Sequence, residues 1–380
     1  MAKTQLPPRE RRWRSFLPAL RREWPLLANV LTAVLFLAFG PIWLRDLSHP
    51  LWFAFLLIWL FAVTLLAAFA AVRHAEALAA MLGEPLGTLI LTLAVTGIEV
   101  MMISALMYSG HGHAALARDA MFAVVMIVLN GMIGLSLLLG GLRYHEQTYN
   151  LLGANAFLAV IVPLAVLGLV LPNFTASSPG PTFSTPLAVF LIVMSVGLYG
   201  VFLTIQNVRH RDYFVTPESA AVEGHHEHGG RSVAYHSVLL VAYLLPLVVL
   251  SKQEAVPINH GIEVLHAPPA LGGFLVAVLI LSPESLGAVR AALANQLQRS
   301  VNLLLGSVLA SISLTIPAAL TIGFLMDQTI VLGLDAANMV LLLLTLGVST
   351  LTFASARTNV LLGAVHLLLF LAYLMLIFEE

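Results

Sequence analysis

Apolar runs of membrane-crossing length recur along almost the whole chain, and nothing else in the sequence restricts the possible folds so strongly. A helix needs about 20 consecutive apolar residues to cross the hydrocarbon layer of a bilayer. Eleven stretches are candidates, their ends placed to within about three residues: 24–44, 51–72, 86–109, 120–141, 154–172, 184–206, 236–251, 269–289, 301–324, 330–353 and 359–378. Apolar residues make up 59% of the 380 positions and charged residues only 10%, too little charge to cover a soluble surface of this size. The sequence therefore predicts an all-α polytopic membrane protein with about eleven transmembrane helices.

The placement of the charges gives the threading. With the N-terminus in the cytoplasm and eleven crossings, fifteen of the 18 Lys and Arg residues fall inside, and only Arg45, Arg118 and Lys252 fall outside. Such a bias follows the positive-inside rule, and a change of one crossing would scramble it. The C-terminus is then expected on the outer face. The basic run "RERRWRSFLPALRRE" reads as a topology anchor, with lipid binding as the alternative. It precedes a span-length stretch without a small-residue cleavage pattern, so the first segment is expected to stay as a helix. There is no cysteine, which excludes disulfides.

Two spans carry a carboxylate at their centre: Glu99 in "LTLAVTGIEVMMISALM" and Glu284 in "VAVLILSPESLGAV". A charge at that depth costs at least about 2.5 kcal/mol, so such a group takes up a proton or holds a cation. The two outcomes exclude each other, and their competition is an exchange mechanism in itself. Two carboxylates also match one divalent ion, so Ca²⁺ for two protons leaves the site's charge unchanged.

Ca²⁺ takes about 6–8 oxygen ligands, more than the pair can provide. Thr92 and Thr96 lie on the helical face of Glu99, and Ser282, Ser285 and Ser311 are the candidates in the second half. Backbone carbonyls near Gly97 and Pro283 are further candidates, because Pro283 leaves the Leu279 carbonyl without its helical donor. Without cysteine, soft-metal chemistry is disfavoured; Na⁺ and K⁺ remain open alternatives to Ca²⁺.

An order repeats on either side of a polar connection at 207–235. Gly87 to Glu99 and Gly272 to Glu284 are each twelve residues, and each Glu-bearing span contains a helix-weakening residue, Gly97 or Pro283. By the threading above, the two spans run in opposite directions. This pattern predicts inverted repeats with interrupted helices meeting at mid-membrane. The expected organisation is a basic segment (1–23), a leading helix and loop (24–50), a first five-helix repeat (51–206), a His-containing linker (207–235) and a second repeat (236–378).

The stretches "GEPLGTLILTLAVTGIEVMMISALM", "GFLVAVLILSPESLGAVRAALANQLQRSVNLLLGSVLASISL" and "ARTNVLLGAVHLLLFLAYL" together resemble the cation/proton exchanger branch of the calcium/cation antiporter superfamily. The resemblance covers almost the whole chain. It implies ten helices in two inverted halves plus a leading helix, and a proton-coupled antiporter in the bacterial inner membrane. It also implies that Glu99 and Glu284 bind the ion and the protons. Where relatives read G-N-A-x-E, this chain has "TGIEV" and "LSPES", and the second-half glutamine is absent from "ASISL". In the helix that follows the first repeat motif the family's serine-asparagine is replaced by apolar residues; Asn130 lies nearby, out of register, and is a further candidate for a supporting ligand. Fewer side-chain ligands leave room for monovalent ions.

Other polar residues have plainer readings. His366 reads as an interhelical histidine, with proton relay as the alternative; Asp335 reads as a helix cap. Glu84 reads as a helix-start acid. The cluster His225, His226, Glu227 and His228 reads as solvated linker, with pH sensing or metal binding as the alternative. No phosphate loop, nucleic-acid motif, HExxH or Ser/His/Asp pattern is present, so neither an enzyme nor a nucleic-acid partner is expected. The expected partners are cations, protons and the bilayer, with no cofactor; a cation channel is the remaining alternative.

Overall fold

In the computed structural model, which describes residues 23–83, 86–108, 114–214, 232–264 and 266–379, eleven helices follow one another. The basic N-terminal run as far as Arg22, Glu84 and the histidine cluster lie outside the described residues. The helices are α1 (Trp24–Trp43), α2 (Pro50–Leu82), α3 (Leu86–Tyr108), α4 (Leu116–Tyr144), α5 (Leu151–Leu169) and α6 (Thr185–Arg209). They continue as α7 (Val233–Glu263), α8 (Ala270–Leu293), α9 (Leu297–Leu325), α10 (Ala336–Thr352) and α11 (Val360–Ile377). Nine of these are long and apolar enough to cross a membrane; the apolar part of α3, Leu89–Ser104, and α10 are shorter.

Local chemistry sets the helix ends. Asn150 accepts hydrogen bonds from the N–H groups of Leu152 and Gly153 at the start of α5, and Asn359 accepts from Leu362 at the start of α11. Ser232 caps α7 and Asp335 caps α10, accepting from Asn338 N–H at 2.9 Å. The span expected at 330–353 therefore begins only at 336. Gly83, at φ +66°, ends α2 in a backbone conformation that costs other residues more.

Polarity is inverted relative to a soluble protein. Leu37, Val193, Leu245, Leu344 and Leu368 are exposed along the helices, while Asn130, Thr345, Ser349 and His366 are fully buried. Exposed leucines can face lipid, whereas the polar groups must find partners inside. One large core joins α2 to α11, and a smaller cluster of Phe36, Leu56, Leu60, Val63 and Leu250 fastens α1 onto α2 and α7.

The helices α2 and α7 are the longest, at 33 and 31 residues, and they pack along one another. At 1.5 Å per residue each is about 45–50 Å long, well beyond a hydrocarbon layer of about 30 Å. Close helix contact recurs where α8 meets α4. There, a Cβ on Gly273 would lie 2.6 Å from the backbone nitrogen of Ala120.

The helices bearing the glutamates are not broken. α3 stays helical through Gly97 and α8 through Pro283, because proline removes one donor while the surrounding bonds persist. The irregular backbone lies instead in the helix after each. α4 contains a π-helical segment, Met126–Met132, and α9 contains another, Ser311–Thr315. Pro317, just beyond the second, leaves the Ser313 carbonyl without its α-helical donor. A short antiparallel pair, Gln147–Thr148 with Arg357–Thr358, ties the α4–α5 connection to the α10–α11 connection.

Candidate cation and proton site

Glu99 projects from α3 into the protein and is 1% exposed. Ser311, at the first position of the π segment in α9, donates a hydrogen bond to its Oε2 at 2.7 Å. The other carboxylate oxygen, Oε1, is buried without a partner, and the hydroxyl of Thr315 lies close to the same carboxyl. Glu284 projects from α8 toward Ser307 of α9, and its Oε2 is also unpartnered. The two carboxylates are near enough to act on each other electrostatically. One helix thus supplies hydroxyls at 307, 311 and 315, one turn apart, to both acids.

The two acids differ in access. Glu99 is sealed, whereas Glu284 is enclosed by protein and still partly reached by solvent. Glu284 also feels the charge of Glu76, an acid on α2 that is itself exposed and lies within the influence of Arg299 on the first turn of α9. Arg299, Glu76, Glu284 and Glu99 thus lie within one another's electrostatic influence in succession. Glu76 and Ser307 are members of this arrangement that spacing alone did not select as ligands.

The candidate ligands differ in placement. Ser311 touches Glu99, as above. Thr92 accepts a hydrogen bond from the Tyr199 hydroxyl at 3.2 Å, and Tyr199 in turn lies within the field of Glu284. Thr96 and Ser285 are buried on the helices that carry the acids, and Pro283 is half-buried beside Glu284. Gly97 faces open space, with no atom within 4 Å of where a Cβ would be. Ser282 is turned back on its own helix, donating to the Val278 carbonyl at 2.5 Å.

Asn130 is engaged elsewhere. Its amide donates to Thr345 at 2.8 Å, and its carbonyl oxygen lies 3.2 Å from His366 Nδ1. The other ring nitrogen of His366 is 2.9 Å from the Thr352 hydroxyl. This closed network joins the π segment of α4 to α10 and α11, and it makes His366 an interhelical histidine with both nitrogens occupied. The amide is spent on helix packing, because burying it without partners would cost about 1–3 kcal/mol.

A second polar cluster fixes the ends of α1, α2 and α7 together. Glu23, just before α1, accepts from Arg73 at 2.6 Å and from Tyr243 at 3.0 Å, and lies 3.3 Å from His74 Nε2. The Nδ1 atoms of His74 and His236 are 2.9 Å apart. Burial works against the Glu23 charge, but the Arg73 guanidinium and the hydrogen bonds from His74 and Tyr243 outweigh it and hold the carboxyl below its usual range.

Buried carboxylates in a multi-pass helical protein, faced by the hydroxyls of one irregular helix, define a membrane ion carrier. The chain belongs to the sodium/calcium exchanger protein family, which matches residues 52–208 and 236–379. That family is one of exchangers, not of enzymes.

A protein of Sinorhizobium fredii described as an ionic transporter, y4hA, is 46% identical over 311 residues, covering 82% of this chain and 85% of that one. The sodium-potassium/proton antiporter ChaA of Escherichia coli is 42% identical over 359 residues, covering 93% and 95%. The crystal structure of the Ca²⁺/H⁺ antiporter protein YfkE has a similar fold, with a TM-score of 0.69 at 17% identity, over 94% of this chain and all of that one. The H⁺/Ca²⁺ exchanger CAX gives 0.63 at 16% identity, over 93% of this chain and 88% of that one. At those identities the solved structures establish the fold and leave the ion open.

Proposed function

We propose that this protein is a proton-coupled secondary antiporter that exports Ca²⁺ in exchange for H⁺, with Na⁺ and K⁺ as further substrates. Glu99 and Glu284 bind either the cation or protons, and alternating access turns that competition into exchange. The observation that carries the reading is the convergence of both acids on the hydroxyl row of α9. Two ionised carboxylates this close repel each other in a dry site and need neutralising, either by two protons or by one divalent ion. Replacing one with the other conserves charge.

The family's match to two separate stretches supports two related halves, 51–206 and 236–378, with the first helix outside them. The positive-inside bias supports a cytoplasmic N-terminus, an outer C-terminus and, by the resemblance, the bacterial inner membrane. In that orientation Glu76 and Arg299 lie toward the cytoplasm, so the approach to Glu284 is the cytoplasmic one. The cation is cargo, and the reading needs no resident cofactor. Thr92, Thr96, Ser285 and the backbone around Gly97 and Pro283 are supporting groups in the wall of the site.

A second reading is exchange of Na⁺ or K⁺ without Ca²⁺. It is favoured by a set of side chains in which only hydroxyls accompany the carboxylates, few oxygens for a Ca²⁺ ion, and by the likeness to the sodium-potassium/proton antiporter of Escherichia coli. One assay separates the two. In proteoliposomes with an imposed pH gradient, Ca²⁺, Na⁺ and K⁺ are added in turn and collapse of the gradient is followed. Glu99→Gln and Glu284→Gln should each abolish it while the protein still reconstitutes. Collapse by Na⁺ and K⁺ alone overturns Ca²⁺ transport, and no response to any of the three ions overturns antiport.

A further inference from the structure

The protein interior holds a further carboxylate that the exchange site does not use. Glu254 lies on the buried face of α7 and is 2% exposed, and neither of its oxygens has a hydrogen-bond partner. The polar side chain acting on it is Thr64 of α2, which is fully buried and whose hydroxyl is likewise unpartnered. Two orphaned polar groups therefore face each other where the two longest helices cross. The nearest charge along the chain, Lys252, is exposed on another face of α7. Ser251 is satisfied by the Leu247 carbonyl at 2.8 Å.

The ligand that suits this pair can be argued from its oxygens. One carboxylate and one hydroxyl supply three, far short of what Ca²⁺ needs. A single carboxylate offsets a single charge, and among the described residues no group of three His, Asp or Glu side chains could hold a metal. A proton has no such demand. Placed on Glu254, it creates an O–H that can donate to the Thr64 oxygen, which removes the bare charge and gives both groups a partner.

We propose that Glu254 and Thr64 form a separate proton-binding site at the α2–α7 crossing, holding a resident proton that is not part of the exchanged set. Glu254 faces Thr64 of α2, whereas Glu99 and Glu284 face the hydroxyls of α9. Glu284 is partly wet, whereas Glu254 is sealed, so its proton leaves only if α2 and α7 separate. The bound proton thereby links the two longest helices in the conformation described here.

Infrared spectroscopy of the purified, reconstituted protein reads this site directly, without requiring transport. In a Glu99→Gln/Glu284→Gln background, which silences the exchange pair, the carbonyl stretch of a protonated carboxyl should persist at neutral pH and resist exchange in D₂O. Adding Glu254→Gln should remove that band, and Thr64→Val should move it to higher frequency as its hydrogen bond is lost. The difference spectrum between the wild type and Glu254→Gln alone gives the same comparison if the double variant does not reconstitute. A band unchanged by Glu254→Gln, or one that titrates away with the ordinary surface carboxyls, overturns the resident proton. A band unmoved by Thr64→Val overturns the part assigned to Thr64.

Discussion

Ser311→Ala tests the site more sharply than removal of either glutamate, because it alters the balance between proton and cation without deleting a ligand acid. The Ser311 hydroxyl donates to Glu99 Oε2 at 2.7 Å, with both residues buried. A hydrogen bond to an ionised group contributes about 1.5–3 kcal/mol, and one between neutral groups about 0.5–1.5 kcal/mol. Loss of the donor therefore penalises the ionised acid, the form that binds a cation, by about 1–1.5 kcal/mol relative to the protonated form. That is about a tenfold loss of apparent cation affinity at fixed pH.

The direction in pH follows. With the ionised form harder to reach, protons hold the site more strongly, and half-maximal exchange moves about one pH unit to the alkaline side. The assay is cation-dependent collapse of a pH gradient in proteoliposomes, run as cation titrations at several pH values. Ser311→Ala should raise the apparent KM about tenfold near neutral pH and approach the wild type at high pH. Ser311→Thr, which keeps the hydroxyl, should recover most of the loss. An unchanged KM and pH profile in the alanine variant would refute the idea that α9 tunes Glu99.

Three further outcomes follow from the geometry. Glu76→Gln should raise KM about two- to fivefold at low ionic strength with kcat unchanged, and the effect should fade in high salt, because an exposed charge acts only through a screened field. Glu23→Gln should lower thermal stability at neutral pH by about 1–3 kcal/mol, since it weakens the acceptor shared by Arg73, His74 and Tyr243. Glu23 is held below the usual carboxylate range, so its contribution is complete above that range and lost as pH falls through the lowered value; melting curves of the variant should lack that acid-side loss. Gly273→Ala should destabilise the protein by about 1–3 kcal/mol, because the added Cβ meets the Ala120 backbone, which has nowhere to move; an unchanged melting temperature would contradict the close α8–α4 contact.

The eleven helices were legible because lipid imposes a length on any apolar run, and Glu99 and Glu284 stood out because each sits alone in such a run. The ends of α2 and α7 were not legible, for a physical reason. Arg73, His74 and Glu76 look like the polar boundary of a span, yet the alanine-rich sequence around them favours helix strongly and carries α2 on to Leu82. In α7, Lys252, Glu254 and Pro257 together read as an exit from the membrane, and the helix nevertheless continues to Glu263. Glu76 and Glu254 were missed for the same cause: both lie in residues that hydropathy assigns to loops.

The hydroxyl row of α9 was hidden differently. In a regular α-helix, residues four apart drift by about 40° per step, so Ser307, Ser311 and Thr315 would fan out around the axis. The π segment from Ser311 to Thr315 turns less per residue and offsets that drift, which lets Ser311 and Thr315 lie beside the same carboxyl while Ser307 lies toward the other. The sequence does carry a trace of this in Pro317, whose missing N–H frees the Ser313 carbonyl. Reading it requires knowing that the adjustment widens a turn upstream of the proline instead of ending the helix. The helix breaks expected at Gly97 and Pro283 are thus displaced onto the partner helices. This leaves both glutamates on unbroken helices and puts the irregular backbone of α9 beside Glu99, at Ser311 and Thr315.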